Sequence, residues 1–452
     1  MSNFLFDEFE GTTPNAWKQK IQVDLKGADY NKTLLWKTND GITVKPFYTK
    51  EDRKNNEIKL PKKAFNICQT IVITEEATAN AFAKKSLKTG VSAIQFIAHK
   101  KFDYKILLSG IDVNKTILYF KLLFLDAAFI QEINQLTAPK NTFFQIDPVG
   151  NLAESGNWFF NLKEDLNHLN TIFNSVENGI SISGDLYQNA GANIVQQLAY
   201  TLAHANEYLN ILNKKSASSI HFEFAVGSNY FHEIAKLRAF RLLWKSLLNE
   251  YKIKETNTHI FTKPSTRNKT IYDYNTNMLR TATECMSAVL GGSNSVSNLA
   301  YNTIFEDSTE FGERISKNQL LILQEESSFT NAQNLADGSY YIENLTHQFA
   351  EKALVIFKQI EKGGGFLKQL KEGNIQRKIK DSASSEQEQF RTKELVLLGT
   401  NFQPNKNDLM FNNIKKEIFA KKRNIKTLII PINRKRLSEA FEKNQLKKEN
   451  KI

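Results

Sequence analysis

GISISGDLYQNAGAN, residues 179–193, is the stretch on which the fold is decided. Ile180 and Ile182 alternate with Ser181 and Ser183, the two-residue period of a strand with one apolar face. Gly184 ends the alternation, and a sharp polar turn follows, with Asp185, Leu186 and Tyr187 at the strand's carboxyl end. In α/β proteins that end is where ligands and catalytic groups collect. The middle residue of this turn is nevertheless a leucine.

Working outward, short apolar runs alternate with amphipathic helices. Strands are expected at 91–98, 117–124, 142–147, 179–184, 219–226, 258–263 and 295–300, with 117–124 equally readable as helix. Helices are expected at 192–212, where Ile194, Leu198, Leu202, Ala205, Leu209 and Leu212 form one stripe, and at 232–250, 311–325 and 344–361, the last closed by Gly363-Gly364-Gly365. Strand–helix alternation over some 250 residues favours a parallel (βα)8 barrel of the TIM type. No GxGxxG or phosphate-binding loop opens a helix, which counts against nucleotide-binding sheets. A further strand-like run is 425–432, IKTLIIPI.

Composition bounds the function. The 452 residues are 41% hydrophobic and 24% charged, as in soluble globular proteins. No apolar run reaches the ~18–20 residues of a membrane span, and the first residues do not read as a signal peptide. Cys68 and Cys285 form neither a disulfide framework nor a metal-ligand cluster, which suits a reducing cytoplasm. Of the net charge of +12, residues 411–452 supply +9 (13 Lys or Arg against 4 Glu), so the rest of the chain is near balance. A basic terminal segment without nucleic-acid motifs reads as a docking or solvated surface, not a nucleic-acid reader.

Chemistry-bearing residues are sparse. His99, His168, His204, His221, His232, His259 and His347 show no metal-ligand spacing. His204 sits in an apolar helix, as a satisfied structural imidazole would. Asp147 and Glu223, at or within strands, read as a helix cap or ion-pair partners. The run of His232, Glu233, Lys236, Arg238 and Arg241 reads as i,i+3 and i,i+4 pairing on a solvated or interface face. Neither a Ser-His-Asp nor a Cys-His arrangement is recognisable.

Several long segments taken together carry a resemblance: GSNYFHEIAKLRAFRLLW (227–244), NMLRTATECMSAVLGGSNSVSNLAYN (277–302), FGERISKNQLLILQEESSF (311–329), DGSYYIENLTHQFAEKAL (337–354), and KGADY with TNDGITVKPFYTKED (38–52) in the arm. In this order they resemble the methylmalonyl-CoA mutase family, and within it the small, non-catalytic subunit of heterodimeric enzymes. The resemblance implies an acyl-CoA mutase barrel and an adenosylcobalamin-dependent isomerase of methylmalonyl-CoA and succinyl-CoA. The departures refine it. Where the family's catalytic chain reads SISGYHIQEAGA, this sequence reads SISGDLYQNAGA, so Leu186 occupies the position of a histidine that contacts the thioester carbonyl. The family's YVNQPWTIRQYAGFS-like segment with its tyrosine has no counterpart, and the Asp-x-His-x-x-Gly cobalt-ligand motif is absent. RKRLSEAFEKN (434–444) resembles the linker that leads into the cobalamin domain.

These features imply an arm, 1–60, that packs on a partner subunit; a barrel, 61–365; and a C-terminal extension or truncated linker, 366–452, without a cobalamin domain. They imply no catalytic, metal-binding or cofactor-binding residue in this chain. Adenosylcobalamin is expected on a large catalytic subunit, the partner in a heterodimer. Whether the barrel admits acyl-CoA stays open at this point. The alternatives are a catalytic acyl-CoA mutase subunit served by a separate cobalamin protein, and a non-enzymatic scaffold.

Overall fold

The computed structural model describes residues 6–450 except 7, 55–57, 62–64, 213–216, 255–257, 308, 332–333, 406 and 420–424. The arm contributes a small antiparallel pair, β1 (Trp36–Lys37) and β2 (Thr43–Val44). Eight parallel strands follow: β3 (Asn66–Val72), β4 (Ala93–Ala98), β5 (Ile117–Leu122), β6 (Thr142–Phe144), β7 (Ile180–Ser183), β8 (Ile220–Val226), β9 (Ile260–Pro264) and β10 (Ser295–Ser297). Their order is β6-β5-β4-β3-β10-β9-β8-β7. The seam between β6 and β7 is bridged by Phe144 N–H to Asn178 O at 2.9 Å and Ser181 N–H to Ile146 O at 3.0 Å. The architecture is therefore the expected (βα)8 barrel, nearly closed. The run 117–124 is a strand, and β3 is the one the sequence reading passes over.

Side-chain parity explains why these strands close on themselves. In β8, Phe222 and Phe224 point outward against Phe240 (ring centroids 4.5 and 4.9 Å), and Phe222 also meets Trp244, both rings borne by the helix Tyr230–Glu250. His221 and Glu223, between them, belong to the opposite face and turn inward. In β5, Leu118, Phe120 and Leu122 are outside, with Phe120 stacked on Phe96 and Phe144, while Tyr119 and Lys121 are inside. The outer residues join a single large apolar core beneath the helices.

Two expectations are corrected. The turn after β7 is a short helix, Gly184–Ala190, stopped by Gly191 at φ +102°. A Cβ on Gly184 would lie 2.7 Å from Thr201 Oγ1, so only glycine lets this helix start directly on the strand end. The run 425–432 joins no sheet. It lies as an extended strap, with Leu428 N–H on Gly156 O (2.9 Å), Ile432 N–H on Ala153 O (2.7 Å), Lys435 N–H on Asn189 O (2.9 Å) and Leu437 N–H on Arg267 O (2.8 Å). Those acceptors follow β6, β7 and β9, so the strap crosses the carboxyl-end mouth of the barrel. Its backbone groups are satisfied by loop carbonyls because the barrel leaves little sheet edge to extend.

Candidate functional site at the barrel mouth

The barrel interior is layered. Its floor is apolar and aromatic: Cys68, Ala93, Tyr119, Phe143 and Phe261 pack together. Tyr119 Oη lies 2.7 Å from His259 Nε2 and donates to Ser295 Oγ at 2.7 Å. Burial, with a small contribution from Cys68, pushes the Tyr119 phenol up, so it stays a neutral donor. One turn of the pleat higher, Thr70 bridges Gln95 and Ser297 at 2.8 Å each, and Gln95 Nε2 donates to Gln145 Oε1 at 2.5 Å. His221, level with Ser181 on β7, is fully enclosed. Burial pushes its imidazole down to about 3, so it is neutral.

At the mouth this polar layer becomes an ion cluster. Lys121 Nζ from β5 holds both oxygens of Glu223 (3.0 and 2.9 Å), and Lys263 from β9 pairs with Glu223 and, at 3.0 Å, with Asp185. Arg434, carried by the strap, donates Nη1 to Asp185 Oδ2 at 2.7 Å and Nε to Glu154 Oε1 at 2.6 Å. Burial opposes ionisation of Asp185, but Arg434, then Lys263 and Lys121, outweigh it and hold the carboxyl well below the usual range. For Glu223, burial and the charge of Asp185 raise the value, and the two lysines more than offset them. Lys263 and Arg434 are correspondingly raised by these carboxylates against their own desolvation. Three cations thus face three carboxylates, and each carboxylate is already engaged by a cation of the chain itself.

Leu186 does not face this cluster as a reacting group. It is fully buried and packs in the apolar core beneath the helices. Without a donor or acceptor, it cannot stabilise charge developing on a substrate oxygen. Tyr187 donates nothing to the mouth either, since its hydroxyl lies 2.9 Å from His204 Nδ1. His204 Nε2 is 3.0 Å from Asp147 Oδ1, which also accepts from Tyr208 at 2.7 Å. Asp147 caps the helix Pro148–Ser155 through Gly150 N–H and accepts from Ser183 N–H. Burial would raise its carboxyl, but His204, Tyr208 and Ser183 hold it low. This buried network braces β6, β7 and the helix Ile194–Leu212.

The face 232–241 needs correction. His232, Glu233, Lys236, Arg238 and Arg241 are all buried, not solvated. Glu233 and Lys236 do pair at i,i+3, but Lys236 Nζ also donates to Ala225 O (2.7 Å), Gln188 and Gln197. Arg241 reaches Gly292 O and Thr258 O at the amino-end of the barrel, and burial lowers its guanidinium to about 10. The i,i+4 pattern is the same on a wet or a packed helix, so spacing alone does not distinguish them. His232 Nδ1 lies 3.1 Å from Asp40 of the arm, and its ring stacks on Trp36. Beside it opens an off-axis cleft of about 680 Å³ between the arm loop, the loops after β8 and β9, and the helix Asn374–Thr392. Within it Asp40 pairs with His232 and Arg267 with Glu386, and Lys37, Lys378, Asp381 and Glu394 also line it.

Lys121, Lys263 and Arg434 were missed by sequence reasoning. The two lysines carried a signal, a cation at inward parity in otherwise apolar strands (ILYFKL, IFTKP). Arg434 carried none, because its partners Asp185 and Glu154 are 249 and 280 residues away.

Fold and mouth together define a TIM-type (βα)8-barrel protein whose own C-terminal strap crosses the end where such barrels hold their sites. The family model for methylmalonyl-CoA mutase matches residues 97–448. The chain is 32% identical to the methylmalonyl-CoA mutase small subunit of Porphyromonas gingivalis, over 89% of this chain and 71% of that one. It is 31% identical to a methylmalonyl-CoA mutase of Cereibacter sphaeroides, over 86% of this chain and 64% of that protein. With the mutase of Rhizobium meliloti it shares 39% identity over 50% of this chain and 33% of the relative. The chain belongs to the methylmalonyl-CoA mutase family. It spans less than two thirds of the length of the latter two relatives.

Proposed function

We propose that this chain is the small, non-catalytic subunit of an adenosylcobalamin-dependent methylmalonyl-CoA mutase, paired with a large catalytic subunit that interconverts methylmalonyl-CoA and succinyl-CoA. The observation that carries the proposal is the barrel mouth. Leu186, at the position of the family's histidine, is packed away in the core, and the carboxylates of the mouth are paired with Lys121, Lys263 and Arg434 of the same chain. The P. gingivalis relative bears the name of a small subunit, which supports the same reading.

The arm, 1–60, fits an interface role. Its helix Pro14–Asp24 buries no residue against the chain, and Trp17 stays half exposed. An amphipathic aromatic in that state is stabilised by burial on a partner. We assign 61–365 to the barrel and 366–452 to an extension that packs over it. Adenosylcobalamin belongs, on this reading, to the partner, and the surroundings of five of the histidines support it. His204, His221 and His232 are buried, His259 is half-buried with its ring stacked on Phe143, and His168 Nδ1 accepts from Ala127 N–H.

The test is direct. The purified chain, given adenosylcobalamin and methylmalonyl-CoA, should form no succinyl-CoA. Co-expressed with its catalytic mutase chain it should purify as a 1:1 complex. Turnover by the isolated chain, alone or with a separate cobalamin-domain protein, refutes the proposal.

A further inference from the structure

The strap has an outer edge as well as an inner one. Along the strap Ile429 and Ile432 pack into the apolar core, 8% and 3% exposed, while Leu428 and Ile430 face solvent at 70% and 67%. Ile425, at 66%, continues the row. Three branched aliphatic side chains thus lie uncovered on a segment whose backbone is pinned at Gly156 and Ala153, and by Gln376 Nε2 on Ile430 O at 2.9 Å. Such a fixed apolar row, unlike scattered single residues, marks a contact surface.

The charge beside the row selects what covers it. The helix Phe366–Lys371 and the start of the helix Asn374–Thr392 lie beside Ile430, and over 366–381 they carry Lys368, Lys371, Arg377, Lys378 and Lys380 against Glu372 and Asp381, with Lys378 and Asp381 turned to the cleft by the arm. All five cations are exposed. An apolar centre with a charged rim is the anatomy of a protein–protein interface. A single-stranded nucleic acid would call for aromatic stacking platforms, which the row lacks. A membrane surface would call for a broad amphipathic helix, whereas this row lies on an extended strap.

We propose that the outer edge of the strap, with Leu428 and Ile430 at its centre, docks an acidic-rimmed apolar surface of the catalytic mutase chain. This inference rests on the proposed pairing with that chain. It also places the partner on the face whose inner side Arg434 seals, so partner binding and mouth closure share one segment.

Binding of the full-length chain to its immobilised catalytic mutase partner, measured by interferometry over a salt series, tests the inference. Leu428→Glu with Ile430→Glu should weaken the complex at least tenfold, with an unchanged circular-dichroism melt because both side chains are already in water. Lys371→Glu with Arg377→Glu should weaken it several-fold and flatten its salt dependence. Wild-type affinity in both variants overturns the docking face while leaving the pairing intact. No complex with the wild-type chain overturns both. Self-association, or flotation with vesicles containing 30% anionic lipid, lost in the variants while the mutase complex persists, assigns the row to another occupant and likewise overturns the inference.

Discussion

Arg434→Ala removes the side chain that ties the strap to the mouth. Taking away one member of a buried ion pair costs ~3–5 kcal/mol. Two features lower that figure. The contact with Glu154 is partly solvated (side chains 30% and 44% exposed) and counts as a surface pair worth ~0–1 kcal/mol. Asp185, although fully buried, keeps Lys263 at 3.0 Å. Strap attachment should therefore weaken by ~2 kcal/mol, and at ~1.4 kcal/mol per decade local opening rises about thirtyfold. Hydrogen exchange resolved at Leu428, Ile432, Lys435 and Leu437 reads this directly, since their amides bond to loop carbonyls across the mouth. All four should exchange about thirtyfold faster while the amides of β5 keep their protection. The sign with pH follows from Asp185, whose carboxyl is held low in the folded state. Its contribution is present above the unfolded value of ~3.9 and is lost as pH falls through the folded one. The difference between wild type and variant should consequently narrow below about pH 4. Unchanged exchange at the four amides, or a difference that widens in acid, would refute the reasoning.

Three further outcomes are expected. Leu186→His should restore no mutase turnover to the isolated chain and should lower stability by ~2–4 kcal/mol in urea titration, because an imidazole would replace a fully buried core side chain; turnover would show that the mouth is competent apart from this residue. Ile432→Ala should cost ~2–4 kcal/mol and Ile430→Ala no more than ~0.5, since the former is buried and the latter exposed, and equal costs would contradict this division of the strap's side chains between core and solvent. Glu284→Gln leaves the enclosed ammonium of Lys269 without its carboxylate at 2.7 Å and should cost ~3–5 kcal/mol near neutral pH. Burial already lowers the Lys269 value, so the unfolded state binds more protons and this loss should shrink as pH rises toward 9, the reverse of an acid-linked group.

How far the chain could be read without its structure differs from element to element. Strands such as SIHFEFAV and GISISG announce themselves because outward aromatics and branched residues alternate with small or polar inward ones. β3, NICQTIV, did not, since Asn66, Gln69 and Thr70 break the apolar pattern where they meet Asn294, Glu313 and Gln95. The helix 232–250 is legible as a helix, but spacing leaves its charged face open between solvent and an interface, and the fold buries it within the chain. Hydrogen bonds from Lys236 to Ala225 O and from Arg241 to Gly292 O are what make burial tolerable there, and neither follows from spacing within the helix.

By itself the sequence determined the strand–helix alternation of a parallel barrel, and the leucine at 186, which offers no hydrogen-bond donor in the turn after β7. Both are local: side-chain parity and residue type act within a few positions. Only the tertiary structure decided what fills the mouth in its place. Asp185, Glu154, Lys121, Glu223, Lys263 and Arg434 come from six separate segments, and Coulomb attraction in a desolvated mouth depends on distance in space, not along the chain. The strap could therefore look like one more strand in sequence and still serve, once folded, as the cover that brings Arg434 to Asp185.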